Sequence, residues 1–193
     1  MQENPVRHIL AGLVLLLPAP ALAGGPCDFP AFGNTRFADP IAIHAAPAAG
    51  SPVVGLAPHG ETGTEFEGES AYFKVVAMQD GWARVEDGQS ADYETALPDG
   101  WVDSALLTLF AQTELAFVAP DPASNPVWQA MEMEDGVAAE VVLDCSGEWA
   151  RIRFADYHRQ GDERIIAGFL TGWVRGICGS QRTTCDGLVG DRP

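Results

Sequence analysis

The side chains with chemical reach are few and scattered. Four cysteines, Cys27, Cys145, Cys178 and Cys185, and four histidines occur in 193 residues, and His44, His59 and His158 fall on separate segments. Nucleophilic catalysis needs a thiolate, a base and a group that orients the base. Cys145 with His158 is the best pair on offer, and no third group stands at a recognisable spacing. There is no HExxH helix, no glycine-rich phosphate loop and no calcium loop, and the acidic residues are dispersed. The expectation is therefore no catalytic residues, no metal and no cofactor, hence no enzyme.

The cysteines read as structural. They are even in number and contain no CxxC pair, the pattern of two disulfides in an oxidising compartment, with three possible connectivities. Cys178 and Cys185 flank the short loop GSQRTT and are expected to pair, which leaves Cys27 with Cys145.

Aromatic residues offer a different chemistry, that of binding. Trp82 opens the run Trp82-Ala83-Arg84-Val85-Glu86 and Trp149 opens Trp149-Ala150-Arg151-Ile152-Arg153-Phe154. Strand alternation puts Ala83 and Val85, or Ala150, Ile152 and Phe154, on one face. Each Trp then shares the other face with charged residues, where an indole is a rigid platform for a peptide or a sugar. Asp92-Tyr93 and Asp156-Tyr157 recur downstream, each an exposed phenol beside a carboxylate that suits a basic or glycan ligand. Trp82, Trp149, Tyr93 and Tyr157 are thus the candidate ligand-binding residues. Trp101 and Trp173 read as packing that seals a barrel end. The stretch Tyr157–Phe169, with His158, Arg159, Asp162, Glu163 and Arg164, reads as a solvated loop.

These residues sit in an internal repeat. One copy runs from Ile41-Ala42-Ile43-His44 through Ala46-Pro47, His59-Gly60, Phe73-Lys74-Val75-Val76 and Asp80-Gly81 to Gly100-Trp101-Val102. The other runs from Glu114-Leu115-Ala116-Phe117 through Ala119-Pro120, Asp135-Gly136, Val141-Val142-Leu143 and Ser146-Gly147 to Gly172-Trp173-Val174. The offsets are 73 at the prolines, 67 at the first tryptophans and 72 at the second. Short β-rich runs between Gly, Asp, Asn and Pro turns, with almost no helical periodicity, predict an all-β fold. A helical turn fits within 104–112, between the copies.

An extended start, an Ala-Pro loop, a tight turn, DGWARV or GEWARI and a closing GWV, in that order and twice over, resemble the bacterial SH3 domain. The resemblance covers 41–107 and 114–178. It implies two tandem SH3-like small β-barrels of a kind commonly exported and appended to cell-wall hydrolases as targeting or peptide-binding modules. In relatives the first Trp walls a ligand groove, a role that falls here to Trp82 and Trp149. The groove's proline and tyrosine are missing, since Asp103-Ser104-Ala105-Leu106 and Arg175-Gly176-Ile177-Cys178 follow the two GWV motifs, which disfavours PxxP ligands.

The N-terminus reads as an address. Arg7, the nine-residue apolar run Ile9–Leu17 and Ala21-Leu22-Ala23 make a signal peptide over 1–23. As a helix that run would rise about 14 Å, half of a hydrocarbon core, so no membrane span is expected in the mature chain. The remaining divisions are an extension at 24–40, repeat one at 41–107, a linker at 108–113, repeat two at 114–178 and a tail at 179–193. Cleavage removes one acid and one base and leaves the net charge at −16. Phosphate backbones would be repelled, so nucleic acid is not an expected partner. What emerges is a periplasmic or secreted non-catalytic module that binds cell-wall peptide or glycan, or an envelope protein. The alternative is an acidic exported inhibitor or immunity-type protein against a basic envelope enzyme, drawn to it by charge.

Overall fold

Two tight turns set the local architecture. Asp80 and Gly81 both take positive φ, 49° and 81°, the pattern of a type I′ turn, whose twist matches that of the strands it joins. In the corresponding turn of the second half, Gly147 and not Glu148 is positive, at 59°, as the first central residue of a type II′ turn must be. Each turn closes a hairpin whose inward residues alternate with polar ones. In a computed structural model, which describes residues 26–37, 40–60, 68–130, 136–160 and 163–179, the protein is all-β in two sheets, one of them a half-barrel. The expected signal peptide and Cys185 lie outside the described residues.

The first sheet contains β1 (Phe29–Gly33), β2 (Ile41–His44), β3 (Val53–Ala57), β4 (Tyr72–Gln79), β5 (Trp82–Gln89), β6 (Gly100–Asp103) and β7 (Leu107–Thr108), in the order β3-β2-β6-β5-β4-β1-β7. The second contains β8 (Phe110–Ala111), β9 (Leu115–Phe117), β10 (Pro126–Gln129), β11 (Val137–Ser146), β12 (Trp149–Gln160) and β13 (Glu163–Val174), in the order β10-β9-β13-β12-β11-β8. Five strands therefore recur in the same spatial order. Between β6 and β7 the chain makes one 3₁₀ turn, Ser104–Leu106, capped by Asp103, whose carboxylate accepts from the Ala105 amide at 3.0 Å.

The correspondence extends to register. Val75 faces Val85, Ala77 faces Arg84 and Gln79 faces Trp82, while Val142 faces Ile152, Asp144 faces Arg151 and Ser146 faces Trp149. The same bulge interrupts both hairpins, between Val75 and Ala77 and between Val142 and Asp144. Arg84 pairs with Trp101 and Arg151 with Trp173. The glycine of each Gly-Trp-Val has a steric cause. A Cβ on Gly100 would lie 2.7 Å from the His44 carbonyl and 2.6 Å from Ile43. On Gly172 it would lie 2.8 Å from Val127 and 2.9 Å from Ala116.

Alternation places the core as the sequence implies. Ala83, Val85, Ala150, Ile152 and Phe154 are fully buried, and both sheets contribute to one hydrophobic cluster through Leu107, Leu109, Ala111, Val137 and Ala139. The N-terminal segment ties the halves together. Strand β1 pairs with β4 and β7. Just before it, Cys27 donates its amide to Val76 of β4 at 2.9 Å, while Gly147 at the second hairpin's tip bonds Pro26 and Asp28. The Cys27–Cys145 disulfide lies at this junction and spans 118 residues of sequence. In the chain-entropy picture a loop that long makes the bridge worth about 5 kcal/mol. A disulfide is compatible with an oxidising, exported location. Cys178 is also disulfide-bonded; Cys185, expected as its partner, lies outside the described residues.

Candidate functional site

The four candidate aromatic residues meet different fates. Trp82 is half-buried, with the His44 ring edge-on at 5.1 Å between centroids. Trp149, its counterpart, is 8% exposed. Phe117 stands edge-on to it at 5.7 Å, and the Arg175 guanidinium lies 5.4 Å from its ring centre. Phe117 occupies the place of His44, since each pairs with the second tryptophan of its own half. The arginine that covers Trp149 has no equivalent after β6, where Asp103 follows the motif. Trp101 and Trp173 are buried and half-buried respectively.

Tyr93 stands in a turn built by Asp92. The Ser90 hydroxyl donates to Asp92 Oδ1, which also accepts from the amides of Glu94 at 2.9 Å and Thr95 at 3.1 Å, while the Thr95 hydroxyl reaches Oδ2 at 3.2 Å. The Ser90 bond, then the two amides, hold the Asp92 carboxyl down to about 2. In this turn Tyr93 takes φ of 58°, a left-handed conformation unusual for a bulky side chain. It is 44% exposed and donates its hydroxyl to Glu69 at 2.9 Å. The result is a presented phenol whose hydroxyl is held by the Glu69 carboxylate.

Trp82 and Tyr93 are not brought together. They belong to opposite ends of β5, and its seven steps span about 23 Å. Tyr157, which matches Tyr93 in sequence, lies within a strand. Residues 157–160 and 163–169 are not a solvated loop but the outer part of a two-stranded ribbon, in which Tyr157 pairs with Ile166 and His158 with Ile165. β-Branched and aromatic residues at these places favour continued pairing. A bulge at Ala167, between the Asp156–Gly168 and Tyr157–Ile166 pairs, shifts the register by one residue. His158 makes an ion-pair contact with Asp156 at 3.2 Å when protonated.

Sequence reasoning did not single out the outward row of this ribbon. Arg151 and Arg153 are exposed, and Arg153 lies over the Phe169 ring at 4.6 Å. Among the described residues no carboxylate is within ion-pair distance of either. The signal was available in the substitution of Glu86 by Arg153 between the two copies.

A cleft of ≈ 270 Å³ lies at the junction, lined by Phe32, Asn34, Arg36, Thr108, Phe110 and Glu140 among others. Its rim is closed by the Arg36–Glu140 pair at 2.9 Å. It falls below the usual size of a small-molecule site, roughly 300–1,000 Å³. Among the described residues there is no cluster of three or more His, Cys, Asp or Glu able to hold a metal ion. Cys145, the only thiol considered as a nucleophile, is in the disulfide. No helix among the described residues is long and apolar enough to cross a membrane. No protein-family model matches the chain, and no curated protein matches it.

Proposed function

We propose that the protein is an exported, non-catalytic binding module made of two tandem SH3-like units, and that its first unit recognises cell-wall peptide or glycan, or an envelope protein, around Tyr93. The observation that carries this reading is the Asp92 turn. Four hydrogen bonds to Asp92 build the turn that holds a bulky aromatic residue in a left-handed conformation at the surface, and such strain concentrates where a side chain is presented for use. A phenol beside the Glu69 carboxylate suits the amines and hydroxyls of wall peptides and glycans. Trp82, half-buried at the far end of β5, adds a separate contact surface. The recurrent strand order, the two Gly-Trp-Val motifs and the disulfide-tied junction agree with a small exported scaffold whose loops and faces do the binding.

The test is retention of the mature, oxidised protein on purified peptidoglycan sacculi and, in parallel, capture of soluble envelope proteins, each at low and high salt. Salt-tolerant retention on sacculi that is lost in Tyr93→Ala supports the wall reading. Capture of an envelope protein that is lost in the same variant supports the protein-partner reading. Failure of both at every salt concentration overturns the proposal. The acidic-inhibitor reading has its own support in the first unit, where residues 41–107 carry eleven acids against two bases. Its signature is capture of a basic protein at low salt only, insensitive to Tyr93.

A further inference from the structure

The chain's cations are not spread as its acids are. Five of its eleven basic residues, Arg151, Arg153, Arg159, Arg164 and Arg175, fall within 149–175, a stretch holding three acids, in a chain of net charge −16. On the outward face of the ribbon, cross-strand partners stand side by side. Arg151 is beside Trp173, Arg153 lies over Phe169, and Tyr157 is beside Ile166. Phe169 is 48% and Ile166 55% exposed. The row thus sets two adjacent guanidinium groups next to apolar and aromatic surface.

The first unit shows what this face looks like when it is neutralised. There Arg84, the counterpart of Arg151, is paired with Glu86 at 3.4 Å. Lys74, directly across from Glu86, is paired with Asp28 at 3.1 Å. The counterpart of Glu86 is Arg153. Val141 stands across from Arg153 where Lys74 stands across from Glu86, and Asp144 stands across from Arg151 where Ala77 stands across from Arg84; among the described residues neither arginine has a carboxylate within ion-pair distance.

From this geometry we infer that the outward face of β12 and β13 docks an extended acidic polypeptide segment, its carboxylates on Arg151 and Arg153 and its apolar side chains on Phe169 and Ile166. Charge complementarity selects the partner. Two like charges held side by side are neutralised by carboxylates, and guanidinium binds carboxylate in a bidentate fork. Spacing selects its form. Arg151 and Arg153 are two residues apart on one strand, about 6.6 Å, and an extended peptide repeats its same-side residues at that same interval. At physiological salt the Debye length is about 8 Å, so the acids of the first unit are screened from this face while close guanidinium–carboxylate contact is not. This inference concerns a different surface from Tyr93 and stands or falls without it.

The test is fluorescence anisotropy of a labelled eight-residue peptide, Glu-Thr-Glu-Thr-Val-Thr-Val-Thr, whose same-side positions carry two Glu and then two Val, titrated with the full mature protein, disulfides intact, at about 150 mM salt. The controls are the same peptide with Lys in place of Glu and a uronic-acid polysaccharide as competitor. Saturable binding of the acidic peptide alone is expected. Arg153→Glu, which rebuilds the first unit's pairing, should weaken it about tenfold or more, with the circular dichroism spectrum and melting temperature retained, and Arg151→Gln should weaken it in the same direction. Arg84→Gln should leave it unchanged. Equal binding of the basic peptide, displacement by the polysaccharide at lower concentration than by unlabelled peptide, or an Arg153→Glu variant that binds as the parent does would each overturn the inference, as would the absence of saturable binding. Sacculus retention through Tyr93 would survive any of these results.

Discussion

The two halves share a strand order, a hairpin register and a bulge, yet their surfaces diverge. In the first, β5 stops at Gln89 and the chain enters the turn that presents Tyr93. In the second, β12 continues to Gln160 and returns as β13, so the equivalent tyrosine is absorbed into a ribbon. The first tryptophan is half-buried in one and covered in the other. On the outward face Glu86, paired with Arg84 in the first half, is replaced by Arg153 in the second. Core positions are constrained by packing from both sides and stay alike. Outward positions carry no such constraint and are free to acquire separate uses.

The largest effect should come from the junction the two halves share. Replacing Cys27 and Cys145 together with alanine is expected to cost about 3–5 kcal/mol. For a chain of this size that is a fall of roughly 10–15 °C in melting temperature. Calorimetry of the oxidised protein and the double variant reads it directly, and an unchanged transition would show that the junction does not couple the halves. The tryptophans come next. Trp149→Ala removes a buried ring and should cost about 3–5 kcal/mol, while Trp82→Ala, at the same position of the other copy, should cost about 1–2 kcal/mol. Denaturant unfolding of both separates them, and equal losses would erase the distinction between a covered and a half-covered indole.

A smaller effect, of opposite sign, is expected at Tyr93. Asparagine tolerates left-handed φ far better than tyrosine does, so Tyr93→Asn should raise stability by about 0.5 kcal/mol while abolishing ligand retention. Loss of stability with retention intact would mean that the turn serves packing and not presentation. The smallest effect is a pH dependence confined to this turn. Asp92 has its carboxyl depressed to about 2, so its contribution is fully present above the ordinary carboxylate range near 3.9 and is lost as pH falls through about 2. In NMR spectra between pH 5 and 2, the amides of Glu94 and Thr95 should shift with an apparent midpoint near 2, well below that range. A midpoint near 4 would show that the bonds to Asp92 are weaker than their geometry implies.

Much of the fold was legible because it is written in local signals. Asp80-Gly81 and Ser146-Gly147 specify tight hairpins, and the alternation of Ala83 and Val85 or Ala150, Ile152 and Phe154 assigns the buried face without reference to any partner. The Cys27–Cys145 bridge followed from the proximity of the other two cysteines. What was not legible depends on partners distant in sequence. Residues 29–33 read only as part of an extension, because their pairing with β4 is decided by residues some forty positions away. Tyr157–Phe169 read as a solvated loop because its five charged or titratable side chains outweighed Ile165 and Ile166 in a reading by composition. In the structure, strand pairing proceeds on backbone bonds, with Tyr157 across from Ile166 and His158 across from Ile165. Trp149 looked like an exposed platform because alternation gives the side of a sheet but not what crosses it. Phe117, at the end of β9, and Arg175, just after β13, cover the ring from positions distant from Trp149 in sequence.

The most direct test of the binding-module account is amide chemical-shift mapping of the oxidised protein with soluble wall fragments, or with the envelope protein if that is what the capture experiment retains. The expected result is perturbation centred on Glu69 and Ser90–Thr95, with the core strands and the cleft beside Arg36 unmoved. Perturbation confined to the junction cleft, or none at saturating ligand, would contradict the account.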